Sequence, residues 1–237
     1  MNDWLLIIRL ISLCLVCSQA NLLSLVAKES QNFSIQQKAE INAGGEWKLS
    51  FQEDFSKVGI GSEPETLFIL DGEISVTSEK GNAVLLIPGS PVGEFGFLFG
   101  PRIRNKPMEL EFTFKSNNQG RRYPSFAAGL GGMRGFRVRV NPAARKVLLS
   151  HDGDPLSEVR FNWKSGEWHH LRIQAIPLNQ KASQLKFKLW QTSKSEPLEW
   201  LMDFKAEIEF VGGKCAVWGY PYSGLPIYFD DMKIRSR

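Results

Sequence analysis

The chain has 237 residues, 43% hydrophobic, 23% charged and 11% aromatic, with 29 Lys+Arg against 25 Asp+Glu. That composition excludes a disordered or collagen-like chain, and a net charge of +4 does not by itself imply a nucleic-acid partner. Three cysteines are too few for a disulfide-stapled scaffold, so a hydrophobic core must supply the stability.

The first twenty residues read as a signal peptide. An apolar run from Trp4 to Cys17, broken by Arg9 and Ser12, closes with Ser18-Gln19-Ala20, and small residues at the third-last and last positions suit a signal peptidase. The run is too short to span a bilayer. Asp3 at the start and Arg9 within the run depart from the usual pattern and keep a retained membrane anchor as the alternative. A lipoprotein fits less well, because Val16 precedes Cys17. Cleavage after Ala20 removes Cys14 and Cys17 and leaves Cys215 as the one thiol of a secreted, periplasmic or cell-surface chain. Residues 21–45 are polar and mixed, with Gln31, Gln36, Gln37 and Gly44-Gly45, and read as a spacer with a short helix over 34–41. Residues 46–237 read as one domain.

Beyond the spacer the pattern is strand upon strand. Asp71-Gly72 between Leu67–Leu70 and Glu73–Val76 predicts a hairpin. Gly81-Asn82, Pro88-Gly89 and Gly100-Pro101 predict further turns. Phe112 and Phe114 alternate with Glu111 and Thr113; Phe136, Val138 and Val140 alternate with Arg137 and Arg139. Turns follow at Asn141-Pro142 and Asp152-Gly153, and Leu185, Phe187 and Leu189 then alternate with Lys186 and Lys188. Period-two alternation means a sheet with one buried and one wetted face. About a dozen such strands, and no helical pattern after residue 45, predict an all-β antiparallel sandwich.

Several segments together carry a resemblance. Gly166-Glu-Trp-His-His-Leu-Arg-Ile173, Glu53-Asp-Phe55 with Leu70-Asp-Gly-Glu73, Leu189-Trp190 with Glu196-Pro197 and Trp200, and Pro226-Ile-Tyr-Phe-Asp-Asp-Met-Lys-Ile234 stand in order between residues 47 and 235. They resemble the concanavalin A-like lectin/glucanase superfamily, including its laminin G-like modules and the domains related to 3-keto-disaccharide hydrolases. The resemblance implies a two-sheet jelly-roll β-sandwich, usually exported, that binds or cleaves glycans. It does not imply one activity.

Catalytic motifs are thin. Glucanases of this fold use a Glu-x-Asp-x-x-Glu strand, and retaining chemistry needs two carboxylates about 5–5.5 Å apart. Glu109-Leu-Glu-Phe-Thr-Phe114 is the nearest match, but Phe114 stands at the third acidic position. Glu109 and Glu111 are expected instead to pair across the sheet with Arg137 and Arg139, or with Lys186 and Lys188. No Gly-x-Ser-x-Gly elbow accompanies the three histidines. His169 and His170, being adjacent on a strand, face opposite ways. His151 sits beside Asp152 and Asp154, where an Asx turn is expected. No catalytic residue is assigned.

The resemblance also implies a structural calcium on the convex sheet, with Asp230 matching the closing motif and Asp54 or backbone near Gly59 and Gly61 supplying early ligands. Calcium takes six to eight oxygens, which such carbonyls could complete. The alternative is that Asp230 caps backbone without a metal; Asp231 is expected on the other face. For glycans, aromatic rings and forked donors are the residues to consider. Trp218-Gly-Tyr220-Pro-Tyr222-Ser-Gly224 reads as an aromatic loop, Arg121-Arg122-Tyr123 as a second and Met133-Arg134-Gly135 as a third, with Trp218 and Tyr222 alternatively plugging the sandwich end. Trp163, Trp168, Trp190 and Trp200 read as core or sheet-covering residues. Residues 101–160 hold twelve Lys+Arg against five Asp+Glu, a local excess that suits an anionic polysaccharide. Nucleic acid is not expected as a partner, nor is stable membrane insertion once the signal is cleaved. The leading reading is an exported, non-catalytic carbohydrate-binding module. A glycan-processing hydrolase and an adhesive cell-envelope module that binds protein are the alternatives.

Overall fold

The computed structural model describes residues 45–90, 93–222 and 224–237. The expected signal peptide, the spacer's first 24 residues and the short helix over 34–41 lie outside the described residues. The described residues form fifteen strands: β1 (Lys48–Glu53), β2 (Leu67–Asp71), β3 (Ser75–Glu79), β4 (Asn82–Ile87), β5 (Phe95–Arg104), β6 (Met108–Ser116), β7 (Ser125–Leu130) and β8 (Phe136–Asn141). The chain continues through β9 (Lys146–His151), β10 (Asp154–Arg160), β11 (His169–Asn179), β12 (Ala182–Gln191), β13 (Met202–Ala206), β14 (Gly212–Tyr220) and β15 (Ile227–Ser236).

They form two antiparallel sheets. One has eight strands in the order β13-β12-β11-β6-β15-β4-β3, with β1 laid beside the second half of β15. The other has seven, in the order β10-β9-β8-β7-β14-β5-β2. The alternation read from the sequence sets which side chains meet between them. Phe112 and Phe114 on β6, Phe126 on β7, Phe97 on β5 and Phe229 on β15 are buried. Their rings pack with centroids from 4.3 to 6.4 Å apart. Each such side chain contributes roughly 1.5–3 kcal/mol by leaving water. Val138 and Val140 of β8 and Leu185 and Phe187 of β12 join them, so the outward positions in between fall to charge.

Three local expectations are corrected. Asp71-Gly72 does not close a hairpin: β2 pairs with β5 in the seven-stranded sheet, while β3 pairs with β4 in the other. A turn dipeptide bends the chain but does not choose the strand it pairs with next, and here the chain crosses between sheets. Gly100-Pro101 is no turn but the middle of β5, where Gly100 takes φ +69° at a bulge facing the Gly213–Cys215 segment of β14. A side chain there would strike Ile234 of the opposite sheet, since its Cβ would lie 2.2 Å from Cδ1. Beside His151, Asp152 and Gly153 both take positive φ and close the β9–β10 hairpin as a two-residue turn of the primed kind rather than an Asx turn. His151 itself packs its ring on Phe136 at 4.8 Å.

Candidate functional site

The outward face of the seven-stranded sheet concentrates aromatic rings and guanidinium groups. Cys215 and Val217 point into the core, so Ala216, Trp218 and Tyr220 of β14 point outward. The segment expected as an aromatic loop is therefore mostly strand: register pairing with β7 continues through Tyr220, which lies opposite Ser125. On β8 the same alternation turns Arg137 and Arg139 outward. Arg137 lies over the Trp218 ring at 3.7 Å and Arg139 over the Tyr220 ring at 4.1 Å. Such stacks stabilise by about 0.5–2 kcal/mol, according to how far they are desolvated.

Trp218 lies flat because its neighbours are small. A Cβ on Gly129 of β7 would come within 2.8 Å of the indole, and one on Gly96 of β5 within 3.1 Å. With Arg137 on top, the ring is only 3% exposed. Trp218 therefore neither plugs the sandwich end nor offers a free face; it is the support on which Arg137 rests. Tyr220 is more open. Its hydroxyl donates to Glu94 at 2.7 Å, and Glu94 also meets Arg137 at 3.4 Å. Burial and the bond to Glu94 push the Tyr220 phenol up to about 12, so it stays a proton donor at neutral pH. Arg139 reaches Ser125 Oγ at a long 3.4 Å, and its buried Nε has no partner.

Of the residues singled out by sequence, the register gathers four at one end of this sheet. Tyr220 pairs with Ser125; Arg121 and Tyr123 precede Ser125 in the chain, and Tyr222 follows Tyr220. Tyr123 packs edge-on against Trp163 at 6.3 Å, and Tyr222 is 42% exposed. Arg134 is not with them. It lies in the β7–β8 turn at the opposite end, exposed, 3.8 Å from Asp152. Arg137, Arg139 and Glu94 were missed as site residues. The alternation that turns the two arginines outward was the signal available; for Glu94 there was none.

Glu109 and Glu111 face outward from the other sheet, and their expected partners are corrected. Arg137 and Arg139 belong to the opposite sheet, and Lys186 and Lys188 stand one strand too far away, on β12. The neighbours of β6 are β11 and β15, so the partners come from there. Arg235 bridges Glu109 at 2.7 Å and Glu111 at 2.9 Å, Arg172 bonds Glu111 at 2.9 Å, and Gln174 donates to Glu109 at 2.6 Å. Arg172 also grips Glu196, which holds Lys188. Burial pushes the Glu111 carboxyl up, but the hydrogen bond from Arg235 and the charge of Arg172 outweigh it and hold the pKa below the ordinary range. Trp190 and Trp200 cover this face, stacked with His170 and beneath Lys188 respectively.

At the β1–β15 junction the strand pairing places the two expected calcium residues on adjoining segments: Glu53 pairs with Met232, just past Asp231. Asp230 and Asp231 do not alternate as expected. A bulge in β15, with Asp231 at φ +53°, turns both into one open hollow of about 230 Å³ with Asn82, Thr113, Trp168 and His170. Burial pushes the Asp230 carboxyl up to about 6, and the charges of Asp231 and Asp54 push the same way. Asp54 lines a different cleft, with Glu53, Glu63 and Glu65, and turns its carboxylate onto the Ser56 amide and hydroxyl. Among the described residues no three His, Cys, Asp or Glu side chains gather as a metal-holding group.

No family model matches the sequence, and no curated relative does. The fold has solved counterparts. The carbohydrate recognition domain of Emp46p, metal-free, superposes with a TM-score of 0.57 at 13% identity over 80% of this chain and 98% of that one. Lectin II from Ulex europaeus gives 0.55 at 10% identity over 80% of this chain and all of the other. The PL-14 alginate lyase from Aplysia kurodai gives 0.52 at 13% identity over 69% and 87%. At such identities the likeness is one of fold, and that fold is the concanavalin A-like jelly-roll sandwich.

Proposed function

We propose that this chain is a carbohydrate-binding module, and that it binds through the Tyr220 end of the outward face of the seven-stranded sheet. The observation that carries this is the convergence there of an accessible aromatic edge, a guanidinium fork and a carboxylate: Tyr220, Arg139 and Glu94. Sugar C–H faces stack on rings, and hydroxyls need both donors and acceptors within a few ångströms. Carbohydrate recognition by counterparts of the same fold, among them a lectin complexed with galactose, supports the reading. Tyr222, Arg121 and Tyr123 extend the surface beyond Tyr220, while Arg134 marks the far end. The apolar leader over residues 1–20 supports export to the cell surface, the periplasm or the medium, and among the described residues no helix is long and apolar enough to cross a membrane.

The test is retention of the full chain on a glycan array, compared with Tyr220→Ala. Tyr220 is partly exposed, so the variant should keep its far-ultraviolet spectrum while losing retention. Unchanged retention would remove the face from the proposal. A structural calcium at Asp230 and Asp54 is the second part. What supports it is the raised carboxyl of the half-buried Asp230, which burial and the charges of Asp231 and Asp54 push up and a cation would relieve, with the remaining oxygens left to backbone and water. One counterpart of the fold also occurs in a potassium-bound form. A chelator should lower the melting temperature.

A further inference from the structure

From the charge balance on that same face we infer that the saccharide taken there carries carboxylates, as in a polyuronate, and that Arg139 receives one of them. The inference rests on the reading of the face as the saccharide site. Two guanidiniums stand two residues apart on β8, each over an aromatic ring. Among the described residues a single carboxylate reaches this pair, and only its first member: Glu94 meets Arg137 at 3.4 Å and accepts the Tyr220 hydroxyl at 2.7 Å. The next carboxylate along the row, Glu158 on β10, is engaged by Lys146 at 2.5 Å. Arg139 thus makes no ion pair among the described residues.

A partly buried charge in that state is unusual. Withdrawing a guanidinium from water is costly unless a counter-charge or full hydrogen bonding offsets it, and buried polar groups are nearly always bonded. Arg139 has a ring beneath it and one long contact to Ser125 Oγ; its Nε is buried, like that of Arg172, so an incoming group would meet its terminal nitrogens. A neutral sugar would supply hydroxyls but leave the charge uncompensated. A carboxylate matches the planar fork with two parallel hydrogen bonds and neutralises it, while the sugar ring packs beside Tyr220. Arg rather than Lys is the residue type that this geometry requires, because only the guanidinium can lie flat on the ring and still present an edge to the ligand. The excess of twelve Lys+Arg over five Asp+Glu across residues 101–160 favours approach of a polyanion in the same sense.

The experiment is titration of the full chain with oligouronates (mannuronate, guluronate, galacturonate and glucuronate types), with their carboxyl-reduced counterparts, with a sulfated oligosaccharide and with polyglutamate. At least one oligouronate should bind ten-fold or more tightly than its reduced form, and Arg139→Gln should erase that ratio; Arg139→Lys should restore only part of it. Tyr220→Ala should weaken the acidic and the reduced forms alike. Equal binding of acidic and reduced forms overturns the inference and leaves the saccharide reading standing. Absence of binding to every saccharide overturns both. Tighter binding of the sulfated oligosaccharide replaces the carboxylate with a sulfate ester, and equal binding of polyglutamate reduces the site to unspecific charge; either result overturns the proposal.

Discussion

The two sheets present outward faces built from the same residue types and balanced in opposite ways. On the eight-stranded face Glu109, Glu111 and Glu196 are matched by Arg172, Arg235 and Lys188, with Gln174 completing the set. On the seven-stranded face Arg137 and Arg139 rest on rings, and the neighbouring carboxylate, Glu94, touches only the first. Where charges are answered within the fold, as around Glu109 and Glu111, that part of the face has no need of a ligand and serves stability. Where a guanidinium is left without a counter-charge among the described residues, the inferred ligand supplies one. Both faces arise from period-two alternation over a common core, so the pattern that makes the sheets does not decide their use.

The largest expected effect tests the saturated face. Replacing Glu111 by Ala strips Arg172 of one partner and Arg235 of one of two, and should cost about 2–3 kcal/mol in urea unfolding, less than a fully buried pair because the network is partly solvated. A cost below about 0.5 kcal/mol would make these contacts as idle as ordinary surface pairs and would dissolve the contrast. The Glu111 pKa is depressed in the folded chain, so its contribution is fully present above the ordinary glutamate pKa of 4.5 and is lost as pH falls through the lower, folded value. The Glu111→Ala chain should therefore lose less stability than the parent below pH 4.5.

A smaller effect comes from the β15 bulge. Asp230 is raised from 3.8 to about 6, so it opposes folding above pH 6, and stability is recovered as pH falls from there toward 4. With a chelator present, Asp230→Asn should stabilise the chain at pH 7.5 by about 1–2 kcal/mol, after discounting for partial exposure, and the gain should vanish near pH 4. His169 and His170, both lowered chiefly by burial, act in the opposite sense over part of that range, so the difference between variant and parent is the quantity to measure. With calcium added, the same substitution should destabilise if Asp230 ligates the ion. An unchanged sign in calcium would leave Asp230 without a metal.

The fold was legible because its signal repeats. Phe112 with Glu111, Val138 with Arg137 and Phe187 with Lys186 each announce a sheet with one wetted face, and the buried set of the sandwich follows them. Pairing was not legible. Nothing local in Glu109-Leu-Glu says that β11 and β15 flank it, because antiparallel order across a sandwich is a long-range property. The bulge that turns Asp230 and Asp231 to one side inserts a residue whose effect depends on two neighbouring strands. The aromatic segment was visible as Trp218, Tyr220 and Tyr222, but the covering of Trp218 by Arg137 required knowing that β8 lies two strands away, across the small residues of β7.

The smallest expected effect decides the open face. Arg139→Gln removes a charge that makes no ion pair among the described residues, one long contact to Ser125 and a stack on Tyr220. Loss of the stack destabilises by about 0.5–1 kcal/mol, while removal of an uncompensated, half-buried charge stabilises by a comparable amount. The two nearly cancel, so urea unfolding should shift by no more than about 0.5 kcal/mol, against the several-fold larger cost of Glu111→Ala. Thermal melts at low and high salt should agree as well, since among the described residues no charged partner is there to be screened. If the substitution instead cost more than about 1.5 kcal/mol, Arg139 would be as structural as Arg235. The asymmetry between the faces would then be one of solvent exposure and not of use.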